Sequence, residues 1–205
     1  MKYIRRALER KFLHMSTFFK AVLVTGARQV GKTTMLKHLS EGQGRTYVSL
    51  DDSMVRSLAQ SDPVLFFQTY RPPVIINEIQ KAPQLFEQIK IMCDAGEELG
   101  NFWLTGSQQY NMMCNVRETL AGRIGIMELY SLSQAEIAGR TFQGELDFSL
   151  PCLLERRKNV NKNNIIDVFE HIWRGGMPQI LTADAEQRQE YYSSYVDTYL
   201  MRDVS

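Results

Sequence analysis

The stretch AVLVTGARQVGKTTMLKHLS, residues 21–40, decides the fold. Its first five residues form a compact apolar run that stops at Gly26, which predicts a buried strand. Residues 32–40 predict a helix, and residues 26–33 between the two elements read GARQVGKT. This octet fits G-x-x-x-x-G-K-[ST], in which glycines let backbone N–H groups turn toward phosphates at a helix N-terminus. The stretch therefore predicts a phosphate-binding loop between a strand and a helix.

The residues of this loop predict how a nucleotide is held. Lys32 is expected to reach the β- and γ-phosphates, and the hydroxyl of Thr33 is expected to ligate Mg²⁺. The predicted cofactors are thus ATP and Mg²⁺. A coincidental glycine-rich turn is the alternative, and the flanking strand and helix argue against it. The candidate nucleotide-binding residues are Gly26, Ala27, Arg28, Gln29, Val30, Gly31, Lys32 and Thr33.

Residues 74–80, VIINEIQ, predict a second buried strand with polar side chains at its tip. Glu78 is a candidate general base for an attacking water, and the alternative is an exposed charge just past a strand. Asn77 stands where an Asp is expected to hold a magnesium-bound water. An amide oxygen accepts a hydrogen bond but offers the cation no charge. Asn77 is therefore a candidate metal-site residue that predicts weak Mg²⁺ binding and slow turnover.

Residues 101–105, NFWLT, predict another strand, and Ser107 lies just beyond its tip. A hydroxyl here could orient the water or contact the γ-phosphate, or it could close a simple turn. Arg117 and Arg123 follow, and either could spread transition-state charge, in the same chain or from a neighbouring subunit. Arg123, which follows a glycine, is the preferred candidate, although most arginines are surface residues. The predicted catalytic residues are Glu78, Ser107 and Arg123.

The pattern along the rest of the chain predicts an α/β protein in two parts. Short apolar runs alternate with helical stretches up to residue 130, whereas helices follow one another without strands after Ser131. We expect a P-loop α/β core over residues 1–135 and a helical lid over residues 136–205, with a loop-like segment at 140–162. The other expected elements are strands at 46–50 and 124–130 and helices at 83–99, 163–174 and 184–203. Residues 3–20 are expected to form a helix or a helix plus a turn. Residues 53–70 are expected to be helical, with Pro63 marking a break or the start of a new helix.

Composition excludes several classes of protein. The 24 Lys and Arg residues against 23 Asp and Glu leave a net charge of +1, which leaves nucleic-acid binding possible but unsupported. No apolar run approaches the ~18 residues that a membrane span needs. The three cysteines are far apart and have no metal-ligand spacing, which favours a reduced, cytoplasmic protein.

Five segments together resemble a prokaryotic AAA-type P-loop ATPase family. In chain order they read TGARQVGKTT, VIINEIQKAP, FWLTGSQQYNMM, ETLAGRIGIMELYSLSQAEI and WRGGMPQ. The family pairs an AAA core with a further C-terminal domain. The resemblance implies a three-layer sandwich with a parallel sheet, in which the 101–105 strand lies between the P-loop strand and the 74–77 strand. In the family the sequence normally continues into that domain beyond the position of Ser205, so we expect this chain to comprise only the AAA part.

The resemblance assigns roles to individual residues. Thr34 joins the phosphate loop, Glu78 matches the catalytic glutamate, and Ser107 resembles a sensor at the tip of the neighbouring strand. Arg123 matches a Gly-Arg pair after that sensor. Pro178, in a Gly-Gly-Met-Pro turn, resembles a residue that related ATPases place beside the adenine. Self-association or a protein partner is implied as well.

Two functions are consistent with these residues. The first is an ATPase in which Glu78 activates water to cleave the γ-phosphate and nucleotide state moves the lid or a partner. The alternative is a slowly hydrolysing or non-hydrolysing ATP-bound regulatory switch, because Asn77 replaces the expected Asp. A DNA-associated motor and a P-loop kinase are further, weaker alternatives.

Overall fold

In the computed structural model, the residues described are 3–107, 116, 118–140, 148–158 and 164–200. By its internal contacts the chain divides into two compact units. One unit comprises residues 8–130, and the other joins the residues up to Ala7 with those from Ser131 onward. The division into a core over 1–135 and a lid over 136–205 stays a prediction, because compactness does not test independent folding.

The first unit is built on five strands and the helices that connect them. The strands are β1 (Ala21–Thr25), β2 (Thr46–Ser49), β3 (Val74–Asn77), β4 (Phe102–Thr105) and β5 (Ile124–Glu128). The α-helices are α1 (Glu9–Ser16), α2 (Lys32–Leu39), α3 (Ser53–Ser61), α4 (Pro63–Thr69) and α5 (Leu85–Ala95). The bounds of β1 and β3 are those that the apolar runs predict.

All five strands form one parallel sheet in the order β2-β3-β4-β1-β5. The predicted position of β4 between β1 and β3 is confirmed. In a parallel sheet the carboxyl ends of all strands meet at one edge. The residues that follow β1, β2, β3 and β4 are therefore brought to the same edge of the sheet.

The sheet is covered on both faces, as the continuous apolar strands predict. Every residue of β1, β3 and β4 is buried. On one face, Phe12 of α1 meets Trp103 of β4 edge to face, with ring centroids 4.7 Å apart. On the other, Leu23 and Ile76 belong to a core that includes Phe66 and other residues of the connecting helices. The predicted α/β class with helices on both sides of a parallel sheet is confirmed.

Helix α3 begins at a capped residue that follows β2 closely. The carboxylate Oδ1 of Asp52 accepts hydrogen bonds from the backbone N–H groups of Met54 (2.8 Å) and Val55 (3.1 Å). This contact satisfies N–H groups that have no partner within the helix. The side chain of Asp52 is thereby held at the helix, so its neighbour Asp51 is the carboxylate that faces the sheet edge.

The second unit is helical in the part that the structure describes. Its elements are α6 (Gln134–Ile137), α7 (Leu150–Lys158), α8 (Ile165–Arg174), a short 3-10 helix (Pro178–Ile180), α9 (Ala185–Tyr195) and a π-helical turn (Val196–Leu200). The prediction of a loop-like segment over 140–162 is wrong for residues 150–158. Their LPCLLERRK sequence has leucines at helical spacing only in its first half, but Leu, Glu, Arg and Lys all favour helix and Pro151 fits a first turn.

A buried carboxylate joins the start of the chain to α6 within this unit. Glu136 accepts hydrogen bonds from the backbone N–H of Ala7 (2.7 Å), from Arg6 Nε (3.2 Å) and from the N–H of Ser133 (2.7 Å). Burial alone would raise the pKa of Glu136, but these N–H groups and the Arg6 charge outweigh it and hold that pKa below its ordinary value. Ser133 and Glu136 also form a capping box, which fixes the first turn of α6.

Candidate nucleotide-binding site

The loop between β1 and α2 needs glycine at two points. Gly26 has φ +137°, and a Cβ there would lie 2.1 Å from the carbonyl oxygen of Leu129, just past β5. Gly31, which precedes α2, has φ +98°, and Gln29 between them also has a positive φ of 62°. These angles turn the backbone into the concave form that binds phosphate. The glycines of the motif are therefore explained by backbone geometry.

Lys32 is the first residue of α2, and its side chain folds back over the loop. Its Nζ donates hydrogen bonds to the carbonyl oxygens of Gly26 (2.9 Å) and Ala27 (2.7 Å). Only 6% of Lys32 is exposed. Burial lowers the pKa of Lys32, while the Glu78 charge opposes this change and the Arg28 charge adds to it. The loop and the helix N-terminus thus surround one ammonium group.

Asn77, at the end of β3, connects the loop to the neighbouring strand. Its Oδ1 accepts hydrogen bonds from Thr33 Oγ1 (2.5 Å) and from Thr105 Oγ1 (2.9 Å) at the end of β4. The predicted metal-site pair of Thr33 and Asn77 is therefore in direct contact. Thr105 was not predicted as a site residue, although its place at a strand tip was a signal that could have found it.

Glu78 follows β3 in a left-handed conformation, with φ +60°. Its backbone N–H donates to Thr105 Oγ1 at 3.3 Å, which helps to hold this turn. The amide of Gln80 donates to Glu78 Oε2 and, at 3.1 Å, to Ser107 Oγ. One amide thus joins the candidate base to the candidate sensor. Gln80 was not singled out from the sequence, because nothing local indicates that it bridges these two side chains.

Residues of the loop, together with Glu78, line one cavity of about 360 Å³ at the carboxyl edge of the sheet. Its lining comprises Arg28, Gln29, Gly31, Lys32, Thr33, Thr34, Asp51, Glu78 and Lys81. Asp51 and Lys81 were not predicted, and they form an ion pair with Nζ and Oδ1 2.5 Å apart. Asp51 lies two residues beyond β2, and a carboxylate after a strand end was the signal that the sequence offered.

The residues that line the cavity fit a hard divalent cation bound together with phosphates. Hydroxyl and carboxylate oxygens are available from Thr33, Asp51 and Glu78, which line the cavity, and the amide of Asn77 contacts Thr33. No group of three or more His, Cys, Asp or Glu side chains that could hold a metal occurs in the described ranges. Magnesium is commonly held by one or two protein ligands plus nucleotide phosphates and water, so this oxygen set suits it.

One predicted residue, Arg123, lies away from the loop. Arg123 lies just before β5, at the opposite edge of the sheet, and its Nε and Nη2 bond Asp94 at 2.5 and 3.1 Å. Five residues of strand at about 3.3 Å each separate that edge from the loop by roughly 16 Å. Pro178 belongs to the other unit, where it begins the 3-10 helix. Arg117 lies outside the described residues.

Fold and site define a protein of the P-loop nucleotide-binding class. A parallel sheet, a glycine-rich loop after β1 and polar strand tips around one cavity are its defining features. Residues 18–138 match the AAA domain family, and the chain belongs to that family. Residues 165–205 match a domain of unknown function.

Two curated proteins and one solved structure are similar to this chain. The chain is 25% identical over 205 residues to uncharacterized proteins Rv2008c of Mycobacterium tuberculosis and Mb2031c of Mycobacterium bovis. Each alignment covers 98% of this chain but only 38% of those curated relatives. The Walker-type ATPase PABY2304 of Pyrococcus abyssi shares the fold with a TM-score of 0.55 and 14% identity, over 98% of this chain and 75% of that one.

The described part of the chain contains no helix long and apolar enough to cross a lipid bilayer.

Proposed function

We propose that this chain binds ATP with Mg²⁺ and hydrolyses it to ADP and phosphate. The observation that carries the proposal is a single cavity that collects the phosphate loop, Thr33 and Glu78. A loop of this form at a helix N-terminus binds phosphate, and a carboxylate beside it can activate a water.

Each side chain has a defined task in this mechanism. The loop N–H groups and the Lys32 ammonium hold the β- and γ-phosphates, and Thr33 and Asn77 orient one another at the cation site. Glu78 accepts a proton from the attacking water, while the amide of Gln80 donates a hydrogen bond to the Glu78 carboxylate. Bound there, Mg²⁺ would neutralise charge on the phosphates.

A second candidate function is supported by Asn77. The amide is neutral, so the cavity contains less negative charge beside Thr33 than an Asp would give. Slow hydrolysis would leave the chain ATP-bound for long periods, and nucleotide occupancy would then act as the signal. In either case we propose that nucleotide state is coupled to movement of residues 136–205 or of a protein partner. Arg123 acting from a second copy and Pro178 beside the adenine stay predictions, as does a cytoplasmic location.

Phosphate release and ATP binding, measured together, test the proposal. The proteins are the unaltered chain, Lys32→Ala and Glu78→Gln. We expect Lys32→Ala to weaken ATP binding and Glu78→Gln to retain binding but lose turnover by at least about a hundredfold. Binding without turnover in the unaltered chain would support the second function. Absence of ATP binding would refute both functions.

Lys37→Ala is the matched control for Lys32→Ala. Lys37 lies in the same helix, but its ammonium sits 3.7 Å above the ring of Tyr47 and does not line the cavity. The same loss of charge and side-chain length should therefore leave ATP affinity and phosphate release unchanged. An equal effect of both substitutions would show that general charge, and not the loop, governs binding.

A further inference from the structure

The amide of Asn77 has a hydrogen-bond partner at every position that it offers. Its Oδ1 accepts from two hydroxyl groups, those of Thr33 and Thr105. Its Nδ2 donates to Ser49 Oγ at 3.0 Å and to Asp51 Oδ2 at 3.2 Å. An amide has two acceptor sites and two donor hydrogens, so Asn77 is fully satisfied. With only 5% of Asn77 exposed, this arrangement is specific for an amide.

A carboxylate could not replace this amide without a second change. Asp at position 77 would accept from the two threonine hydroxyls but would have no hydrogen to donate to Asp51. Two carboxylate oxygens would then face each other across 3.2 Å, the present Nδ2–Oδ2 distance. Like charges in contact are unfavourable, and the pair would have to share a proton. Asp51 therefore requires a hydrogen-bond donor at position 77, and the amide of Asn77 provides it.

Asp51 offers its charge to the same cavity. It lines the cavity together with Thr33 and Glu78, and 58% of its side chain is exposed. The strand register explains its position, because Ser49 of β2 lies opposite Asn77 of β3 and Asp51 follows two residues later. Burial opposes ionisation, but the hydrogen bond and charge of Lys81, with smaller contributions from Ser49 and Arg56, lower the pKa of Asp51. The geometry thus places the Asp51 carboxylate at the cavity and in contact with Asn77.

We propose that Asp51 supplies the carboxylate charge of the magnesium–nucleotide site and that Asn77 orients it. The negative charge that an Asp would supply at the tip of β3 is supplied by Asp51, after β2. The amide of Asn77 connects the two positions by its hydrogen bond to Asp51. Asp51 is a positioning and charge-supplying residue in this proposal, which rests on the proposed nucleotide binding. It removes the reason for expecting weak Mg²⁺ binding from Asn77 alone.

Lys81 limits how much of this charge is available. Its Nζ lies 2.5 Å from Asp51 Oδ1 on the opposite side of the carboxylate from Asn77. Oδ2 is therefore the oxygen that Asn77 and Ser49 fix, and Oδ1 is the one neutralised by the ammonium. Lys81→Met leaves the carboxylate in place without its counter-charge. We expect this substitution to strengthen divalent-cation binding about threefold.

The test measures Mn²⁺ binding to the full chain, as a paramagnetic substitute for Mg²⁺, in the presence of the non-hydrolysable analogue AMP-PNP. Electron paramagnetic resonance reports free Mn²⁺ directly and needs no turnover. Asp51→Asn keeps the size of the side chain and can still accept from Asn77. We expect this variant to bind Mn²⁺ about tenfold more weakly than the unaltered chain, because one unit charge is lost beside the cation.

The adjacent Asp52 provides a matched control. Asp52→Asn makes the same chemical change one residue away, and Asn caps a helix as well as Asp does. It should leave Mn²⁺ affinity within about twofold of the unaltered chain, because the side chain is held at α3. The melting temperature of every variant, measured by circular dichroism, shows whether the fold is retained.

The exchange of the two residues is the decisive variant. Asp51→Asn with Asn77→Asp restores one carboxylate and one amide, and it should recover Mn²⁺ affinity to within about threefold of the unaltered chain. Asn77→Asp alone should lower the melting temperature and bind Mn²⁺ no more than about threefold more tightly.

The outcomes separate the two proposals. Unchanged Mn²⁺ affinity in Asp51→Asn, or a gain of tenfold or more in Asn77→Asp alone, overturns the role of Asp51 while nucleotide binding stands. If the unaltered chain binds neither AMP-PNP nor Mn²⁺ with it, the proposed function is refuted and this inference with it. Loss in Asp51→Asn with recovery in the exchange variant supports the inference.

Discussion

Replacing Gln80 with Met tests whether the amide between Glu78 and Ser107 serves catalysis. Met has a similar size but donates no hydrogen bond, so the variant loses the contacts to the Glu78 carboxylate and to Ser107 Oγ. A hydrogen bond to a charged group is worth about 1.5–3 kcal/mol. If about half of that acts in the transition state, kcat falls about three- to tenfold, because roughly 1.4 kcal/mol corresponds to one factor of ten.

The same substitution should leave the stability of the fold almost unchanged. The Oε1 atom of Gln80 is buried and has no hydrogen-bond partner among the described residues. An unpaired buried acceptor costs about 1–3 kcal/mol, so its removal offsets the two lost bonds. We therefore expect the free energy of unfolding to change by less than about 1 kcal/mol. Activity and stability would then separate, which a purely structural role of Gln80 would not produce.

The assay combines phosphate release, ATP titration and urea unfolding of the same preparations. Gln84→Met is the matched control, because Gln84 is exposed before α5 and its side chain makes no capping hydrogen bond. Gln80→Glu adds a pH test, since two carboxylates in contact share a proton and the acid limb of kcat should move to higher pH. An unchanged kcat in Gln80→Met would refute the positioning role. A fall in kcat that is accompanied by a fall in both ATP affinity and the free energy of unfolding would refute it as well.

Two further substitutions test the loop and the second unit. Gly26→Ala should abolish tight ATP binding, with at least a hundredfold loss, because its Cβ would meet the Leu129 carbonyl oxygen at 2.1 Å; equilibrium dialysis measures this. Glu136→Gln should lower the free energy of unfolding by about 3 kcal/mol at pH 7, because the buried Arg6 charge no longer faces the Glu136 carboxylate. Since the folded pKa of Glu136 lies below the unfolded one, its contribution is complete at neutral pH and is lost as the pH falls through the folded pKa. Urea unfolding from pH 7 to pH 3 should therefore show the two proteins converging in acid.

Matched controls exist for both substitutions. Gly42 has a positive φ of 78° but open space around it, so Gly42→Ala isolates backbone strain and should cost about 1–2 kcal/mol without changing ATP affinity. Equal loss of ATP binding in both glycine variants would contradict the steric argument. Glu155→Gln changes an exposed carboxylate of α7 and should leave the unfolding curves superimposed at every pH. If the free energies of unfolding of Glu136→Gln and the unaltered chain differ by the same amount at every pH, this carboxylate does not contribute to acid unfolding.

Much of the fold could be predicted because it depends on local features. Continuous apolar runs predicted the bounds of β1 and β3, because a strand that is buried on both faces does not alternate between polar and apolar residues. The division of the 53–70 region at Pro63 followed from the missing N–H of proline. Helix α7 could not be predicted in this way, because its leucines are exposed and occupy only its first half, before a run of charged residues. The order of the strands was available only from the family resemblance.

The candidate site was predictable only in part. The loop, Glu78 and the contact between Thr33 and Asn77 follow from motifs in which neighbouring residues act together. Asp51 and Gln80 do not belong to such a motif.

By itself the sequence determined the loop, the α/β class and the tips of two strands. These features could be found because each depends on residues that are close together in the sequence. Examples are the backbone angles that require glycine and the spacing of apolar residues. Only the tertiary structure decided that Asp51 faces Asn77, that Gln80 joins Glu78 to Ser107, and that Arg123 lies at the far edge. These contacts depend on which strands pair and in which register, and that choice is made by burial across the whole sheet.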